Sequence, residues 1–88
     1  MDSTDVNDQL LEDIRALAAD IFGTSKHRLG EDSMPENTDN WDSIAHVSLV
    51  VAIEEQFAVT FDPDEITSMK SIGSIARMLT EKLYSRDS

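Results

Sequence analysis

The sequence contains no cysteine. That absence excludes a disulfide framework and any metal site built on thiolates. No apolar run approaches the ~20 residues of a membrane span, and no stretch has the pattern of a signal peptide. Basic residues are scarce: 7 Lys and Arg stand against 18 Asp and Glu, a formal net charge of −11. Nucleic acid and anionic membrane surfaces attract basic proteins, so both are poor partners for this chain. The expected partner is a protein with a basic patch, steered in by the acidic field. With 88 residues, the chain is expected to form one domain over 1–88, ordered over about 6–84, with a modest core and marginal stability. It is too small to wall off a deep catalytic cavity. A soluble, cytoplasmic, monomeric binding or carrying protein is expected, not an enzyme.

What the sequence does contain is helical periodicity. Leu10, Ile14, Leu17 and Ile21 recur on one stripe, widened by Leu11, Ala18 and Phe22. Ser3, Thr4 and Asp5 offer N-caps for this helix, and Gly23 offers a stop. Residues 23–41 are mostly polar and form a long loop, which Leu29, Met34 and Trp41 are expected to pin to the core. A second helix runs from Ser43 to about Phe57 with Asp42 as its N-cap. Ile44, Val47, Val50, Val51, Ile53 and Phe57 give it a broad apolar face, extended by Leu49 and Ala52. Ala58 to Phe61 reads as an extended connector. Asp62, Pro63 and Glu65 then form the capping signature of a short helix that ends near Ser68. Ser71 caps a last helix with Ile72, Ile75, Ala76, Leu79 and Leu83 on its stripe, and Lys82 and Arg86 suit its C-terminal end. The tail from Ser85 to Ser88 is expected to fray. The fold class is all-α: a small four-helix bundle of three longer helices and a short third one, with a long loop between the first two.

Charge is segregated along the chain. No Lys or Arg occurs between Arg28 and Lys70, an interval that holds Glu31, Asp32, Glu36, Asp39, Asp42, Glu54, Glu55, Asp62, Asp64 and Glu65. A solubility coat needs no such segregation, whereas a docking face for a basic partner does. At the head of the second helix stands Ser43. Because Asp42 can cap, the Ser43 hydroxyl is left to project. A phosphate on that oxygen would lie near exposed backbone N–H groups and the positive end of the helix dipole. Local physics permits a phosphate there without requiring one.

The stretch Asn40-Trp41-Asp42-Ser43-Ile44-Ala45-His46-Val47-Ser48-Leu49-Val50, leading to Glu54-Glu55-Gln56-Phe57, resembles the attachment region of the acyl carrier protein family. The order of helices matches too, and the likeness spans about residues 6–84. The resemblance implies that a phosphopantetheinyl transferase attaches 4′-phosphopantetheine covalently to Ser43, and that the arm's thiol carries an acyl group as a thioester. It implies that Asp42 helps the transferase recognise the site. It also implies that Ile44, Val47, Ser48, Val51, Glu54 and Glu55 lie at docking positions, with Asp64 and Glu65 extending the face. The partners implied are acyl-loading ligases or synthases and acyl-transferring enzymes with basic patches. Ile44 stands where leucine is commonest, and Asn40 replaces a frequent glycine but tolerates left-handed backbone. Ala45, His46 and Ser48 depart from the housekeeping fatty-acid pattern. With Trp41 they suggest a specialised carrier.

Other readings are weaker. Asp42, Ser43 and His46 suggest a hydrolase, but no Gly-x-Ser-x-Gly elbow is present, and His46 is expected to be exposed or partner-facing. Asp62 and Asp64 lack the remaining positions of an EF-hand, so no metal site is expected. Val47, Ile53, Ile66, Met69 and Ile72 are read as ordinary core, with the lining of an acyl cavity as the alternative. The remaining alternatives are an acidic helical adaptor without a prosthetic group and a peptidyl or aminoacyl carrier. The acyl cargo and the pathway are not encoded in any of these residues.

Overall fold

A computed structural model describes residues 8–85. Its helices are α1 (Asp8–Phe22), α2 (Ser43–Phe57), α3 (Pro63–Ser68) and α4 (Ile72–Ser85), and no strand occurs among the described residues. The expected order is therefore met, and α1 packs against both α2 and α4. The caps proposed at Ser3, Thr4 and Asp5, the cation at Arg86 and most of the fraying tail lie outside the described residues.

The core is one cluster drawn from all these segments except α3. Ile14, Phe22, Leu49, Ile53, Ile72, Ile75 and Leu79 are its largest fully buried side chains. The stripe expected on α1 is corrected, and the broad apolar face of α2 is divided between core and solvent. On α1 the buried stripe is Leu10, Ile14, Ala18, Ala19 and Phe22, while Leu17 and Ile21 are only partly covered. The stripe is rotated because α1 is flanked on two sides, by α2 and by α4, and Ala18 and Ala19 are buried with it. On α2 the core takes Leu49, Val50 and Ile53, whereas Ile44, Val47 and Val51 face solvent at 78, 56 and 44 % exposure. Periodicity could not choose between the two sides of a helix that is apolar over most of its circumference.

Local rules account for the helix ends. Gly23 closes α1 with φ +73°, and Thr24 N–H reaches back to the Ala19 carbonyl at 3.0 Å. The Asp42 carboxylate accepts the Ala45 N–H at 2.9 Å and caps α2. Glu65 accepts the Asp62 N–H at 2.8 Å at the start of α3. Ser71 and Ser74 cap α4 reciprocally, Ser71 Oγ accepting from Ser74 N–H at 3.1 Å and Ser74 Oγ from Ser71 N–H at 3.0 Å. The connector is as expected at Val59 and Phe61, both buried, but Ala58 is left-handed at φ 56° and ends α2.

The loop over 23–41 is ordered by contacts that periodicity does not encode. It contains two 3-10 turns, Lys26–Arg28 and Pro35–Asn37. Leu29 and Trp41 are buried and Met34 is half-buried. Arg15 on α1 clamps the first turn: Nε donates to the Leu29 carbonyl at 2.8 Å and Nη2 to the Lys26 carbonyl at 2.9 Å. Its Nη1 also pairs with Glu12, which Lys26 contacts in turn at 2.9 Å. These two cations, Lys26 foremost through its hydrogen bond, hold the Glu12 carboxyl below the ordinary glutamate range. Further along, Ile72 N–H donates to Ser33 O at 2.9 Å and Gly73 N–H to Glu31 O at 3.0 Å, sewing the loop to the start of α4. The short α3 has no buried residue. It is held largely by polar ties to its neighbours.

Candidate functional site

The chain reaches α2 through a left-handed residue, Asn40, at φ 69°, whose side-chain amide donates to the Phe22 carbonyl at 2.9 Å. That contact anchors the loop's end to the end of α1. Trp41 follows, only 4 % exposed, with its ring 5.1 Å from that of Phe22. With Trp41 driven inward, the next residues must turn outward. Asp42 and Ser43 are both exposed, and Ser43 is the first residue of α2.

This arrangement suits an anionic group on Ser43. The cap is supplied by Asp42, so the Ser43 hydroxyl is not needed for it. The first-turn N–H groups of a helix have no intrahelical acceptor and carry the positive end of its dipole. Beside Ser43 opens a groove of ≈ 410 Å³, lined by Trp41, Asp42, His46, Val47, Ile66, Thr67 and Met69 among others. Its size lies within the range of small-molecule clefts. The residues present therefore fit a phosphodiester-linked arm that leaves Ser43 along a partly apolar surface.

His46 is placed differently from the expectation of an exposed residue. It is half-buried, and both ring nitrogens are engaged. Trp41 Nε1–H donates to His46 Nδ1 at 3.0 Å, and His46 Nε2 lies 3.1 Å from the Ile66 carbonyl. An indole N–H can only donate, so Nδ1 is unprotonated and Nε2 carries the proton to Ile66. With both nitrogens engaged, neither serves as a base for Ser43, and the hydrolase constellation is not assembled. The cause is Trp41, whose burial brings its only polar atom against the imidazole. A tryptophan five residues before a histidine across a helix start was the signal available in the sequence.

Of the other docking positions, Ile44, Val47, Ser48, Val51, Glu55 and Asp64 are exposed. Glu54 and Glu65 have work within the fold. Glu54 Oε2 accepts the Phe61 N–H at 2.8 Å. Glu65 accepts from Lys82 Nζ at 2.9 Å as well as from Asp62, and those bonds hold its carboxyl below the ordinary glutamate range. Val47, Ile66 and Met69 line the groove, but Ile53 and Ile72 are core residues at 0 % exposure. Arg15 and the Glu54–Phe61 contact were missed by the sequence reading. Arg15 is the lone basic residue in an otherwise acidic helix, which was its available signal.

Comparison with known proteins agrees with this geometry. A family model described as the phosphopantetheine attachment site matches residues 12–79. The acyl carrier protein of Petrotoga mobilis is 26 % identical over 76 residues, covering 86 % of this chain and 89 % of that protein. The acyl carrier protein of Chlamydia trachomatis is 26 % identical over 73 residues, covering 83 % of this chain and 95 % of that one. Among solved structures, a holo acyl carrier protein from Nitrosomonas europaea superposes with a TM-score of 0.74 at 34 % identity, over 86 % of this chain and 98 % of that one. One from Geobacter metallireducens has a TM-score of 0.78 at 23 % identity, over 88 % of each chain, and shares the fold. The matched model covers most of the sequence, and this chain belongs to the phosphopantetheine-attachment family of acyl carrier proteins.

Proposed function

We propose that Ser43 is the residue that bears the phosphopantetheine arm, and that the exposed side of α2 beside it receives the enzymes that load and use the cargo. The observation that carries this reading is the outward turn at Ser43: an exposed hydroxyl on the first residue of a capped helix, at the edge of a groove. The Ser43 hydroxyl gives up its proton and takes the phosphopantetheine phosphate from coenzyme A, whose nucleotide bisphosphate leaves. A transferase performs that step. Once attached, the arm supplies a thiol that holds an acyl group as a thioester; the chain itself has no cysteine to compete with it.

The chain's own residues position and present. Asp42 fixes the start of α2 and places a carboxylate next to the hydroxyl. A carboxylate repels a phosphodiester, so its role is recognition by the transferase and not stabilisation of the product. Ile44, Val47 and Val51 offer an apolar contact strip, with Ser48 within it and Glu55 and Asp64 as flanking acids. Such a strip matches an enzyme surface with a small apolar depression rimmed by Lys and Arg. Glu54 and Glu65 contribute charge to that face but are tied to the fold.

Incubation with coenzyme A and a broad-specificity phosphopantetheinyl transferase, followed by intact-mass measurement, tests the assignment. One added phosphopantetheine is expected on the wild type and none on Ser43→Ala. Addition that persists in the alanine variant would refute Ser43 as the site.

A further inference from the structure

One imidazole joins three segments at the floor of the groove. His46 on α2 accepts from Trp41 at the end of the loop and donates to Ile66 on α3. The indole and imidazole also lie nearly parallel, 24° apart with centroids at 6.0 Å. Because α3 buries no residue, this donation is one of the few ties that hold it. Among the described residues, further ties are the Glu65–Lys82 pair to α4 and the partial burial of Ile66.

The position of the bridge gives it a consequence for cargo. Trp41 and Met69 line the groove and belong to the same buried cluster as Leu49, Ile53 and Ile72. A hydrocarbon chain in the groove is drawn toward that cluster, since each methylene favours leaving water. The groove is lined by both α2 and α3, and the His46–Ile66 bond joins the two helices there. Parting the helices there breaks the His46 Nε2–H bond to the Ile66 carbonyl and leaves that carbonyl only the Met69 N–H at 3.3 Å, a cost in free energy.

We propose that His46 is a specificity-determining residue: by tying α3 to α2 it keeps the cargo in the open groove and suits the carrier to short acyl groups over long saturated ones. A short chain has few methylenes to bury and loses little by staying in the groove. A long one is left with its apolar length exposed. The proposal rests on Ser43 bearing the arm.

The test loads wild type, His46→Val and His46→Gln through a broad-specificity transferase with butyryl- or decanoyl-coenzyme A. Intact mass is read first. Failure of the wild type to load overturns the Ser43 reading and this proposal with it, whereas every later outcome bears on His46 alone. Thermal melting is then compared between the two loaded forms of each protein. In the wild type the butyryl and decanoyl forms are expected to melt together. In His46→Val the decanoyl form is expected to melt about 5 °C higher than the butyryl form, as buried chain adds to the core. His46→Gln keeps a donor and an acceptor and is expected to resemble the wild type. Stabilisation of the wild type by decanoyl, or no chain-length effect in His46→Val, overturns the proposal. A measurement on the wild type alone covers the case in which His46→Val does not fold. Hydroxylamine is expected to cleave both thioesters at the same rate, and a decanoyl thioester cleaved several-fold more slowly overturns the proposal.

Discussion

Arg15→Ala removes the clamp that sets the course of the loop toward Ser43. In the wild type the guanidinium spends two donors on the Leu29 and Lys26 carbonyls, at 2.8 and 2.9 Å, and a third on Glu12. A hydrogen bond to a charged group contributes about 1.5–3 kcal/mol when its partner has no substitute. Water can reach part of this site, since the Arg15 side chain is 20 % exposed, so the two carbonyl bonds together are expected to be worth about 2–4 kcal/mol. Against a total stability of about 5–15 kcal/mol that is a large loss, lowering Tm by roughly 10–25 °C. Urea unfolding read through Trp41, the sole tryptophan and a buried one, measures it directly. Two companions separate the causes. Arg15→Lys keeps the charge but cannot reproduce the fork, and is expected to recover only a minor part. Glu12→Gln removes the exposed ion pairs and leaves the carbonyl clamp, so its loss is expected to be far smaller. A loss for Glu12→Gln equal to that of Arg15→Ala would show that the ion pair, and not the clamp, orders the loop.

Gly73→Val is expected to destabilise by about 1–3 kcal/mol in the same assay, because a Cβ at Gly73 meets the Glu31 carbonyl oxygen at 3.1 Å while that oxygen accepts the Gly73 N–H. Glu65 has its pKa lowered by its hydrogen bond from Lys82 and then by that from Asp62. A depressed folded-state pKa stabilises above the unfolded-state value and is lost as pH falls through the folded one, so the Tm gap between wild type and Glu65→Gln should close in acid; a gap that persists there counts against the reading.

Positions governed by neighbours three or four residues away were readable in the sequence. The Asp42 cap, the Glu65 return to Asp62 and the Ser71 cap are all local contacts between a side chain and nearby backbone, and the left-handed backbone at Asn40 suits its residue type. Ser43 at the head of α2 follows from the first of these. Contacts across longer separations were not readable. Arg15 reaches residues 11 and 14 positions away, and His46 reaches Ile66 across 20. Ile44, Val47 and Val51 were legible as apolar positions of α2, but hydrophobicity alone does not say which side of α2 meets α1. Their exposure, once seen, fits the docking role that the family resemblance had assigned to them.

The acids that line the proposed docking side are not equivalent, and the difference bears on how the carrier can bind many enzymes without losing its fold. Asp42, Glu54 and Glu65 each accept a backbone N–H, from Ala45, Phe61 and Asp62 respectively. A partner's lysine or arginine that pulls these carboxylates away competes with a helix cap, a connector or the tie to Lys82. Glu55 and Asp64 stand exposed, so a cation that meets them asks for no rearrangement. In the proposed docking, encounter would be best served by Glu55 and Asp64, whose field would steer a basic surface toward Ile44, Val47 and Val51. The fold-bound acids add to that field from fixed positions. Because α3 carries Asp64 and Glu65 and is tied to α2 through His46, the same imidazole that floors the groove also sets where these charges stand relative to Ser43.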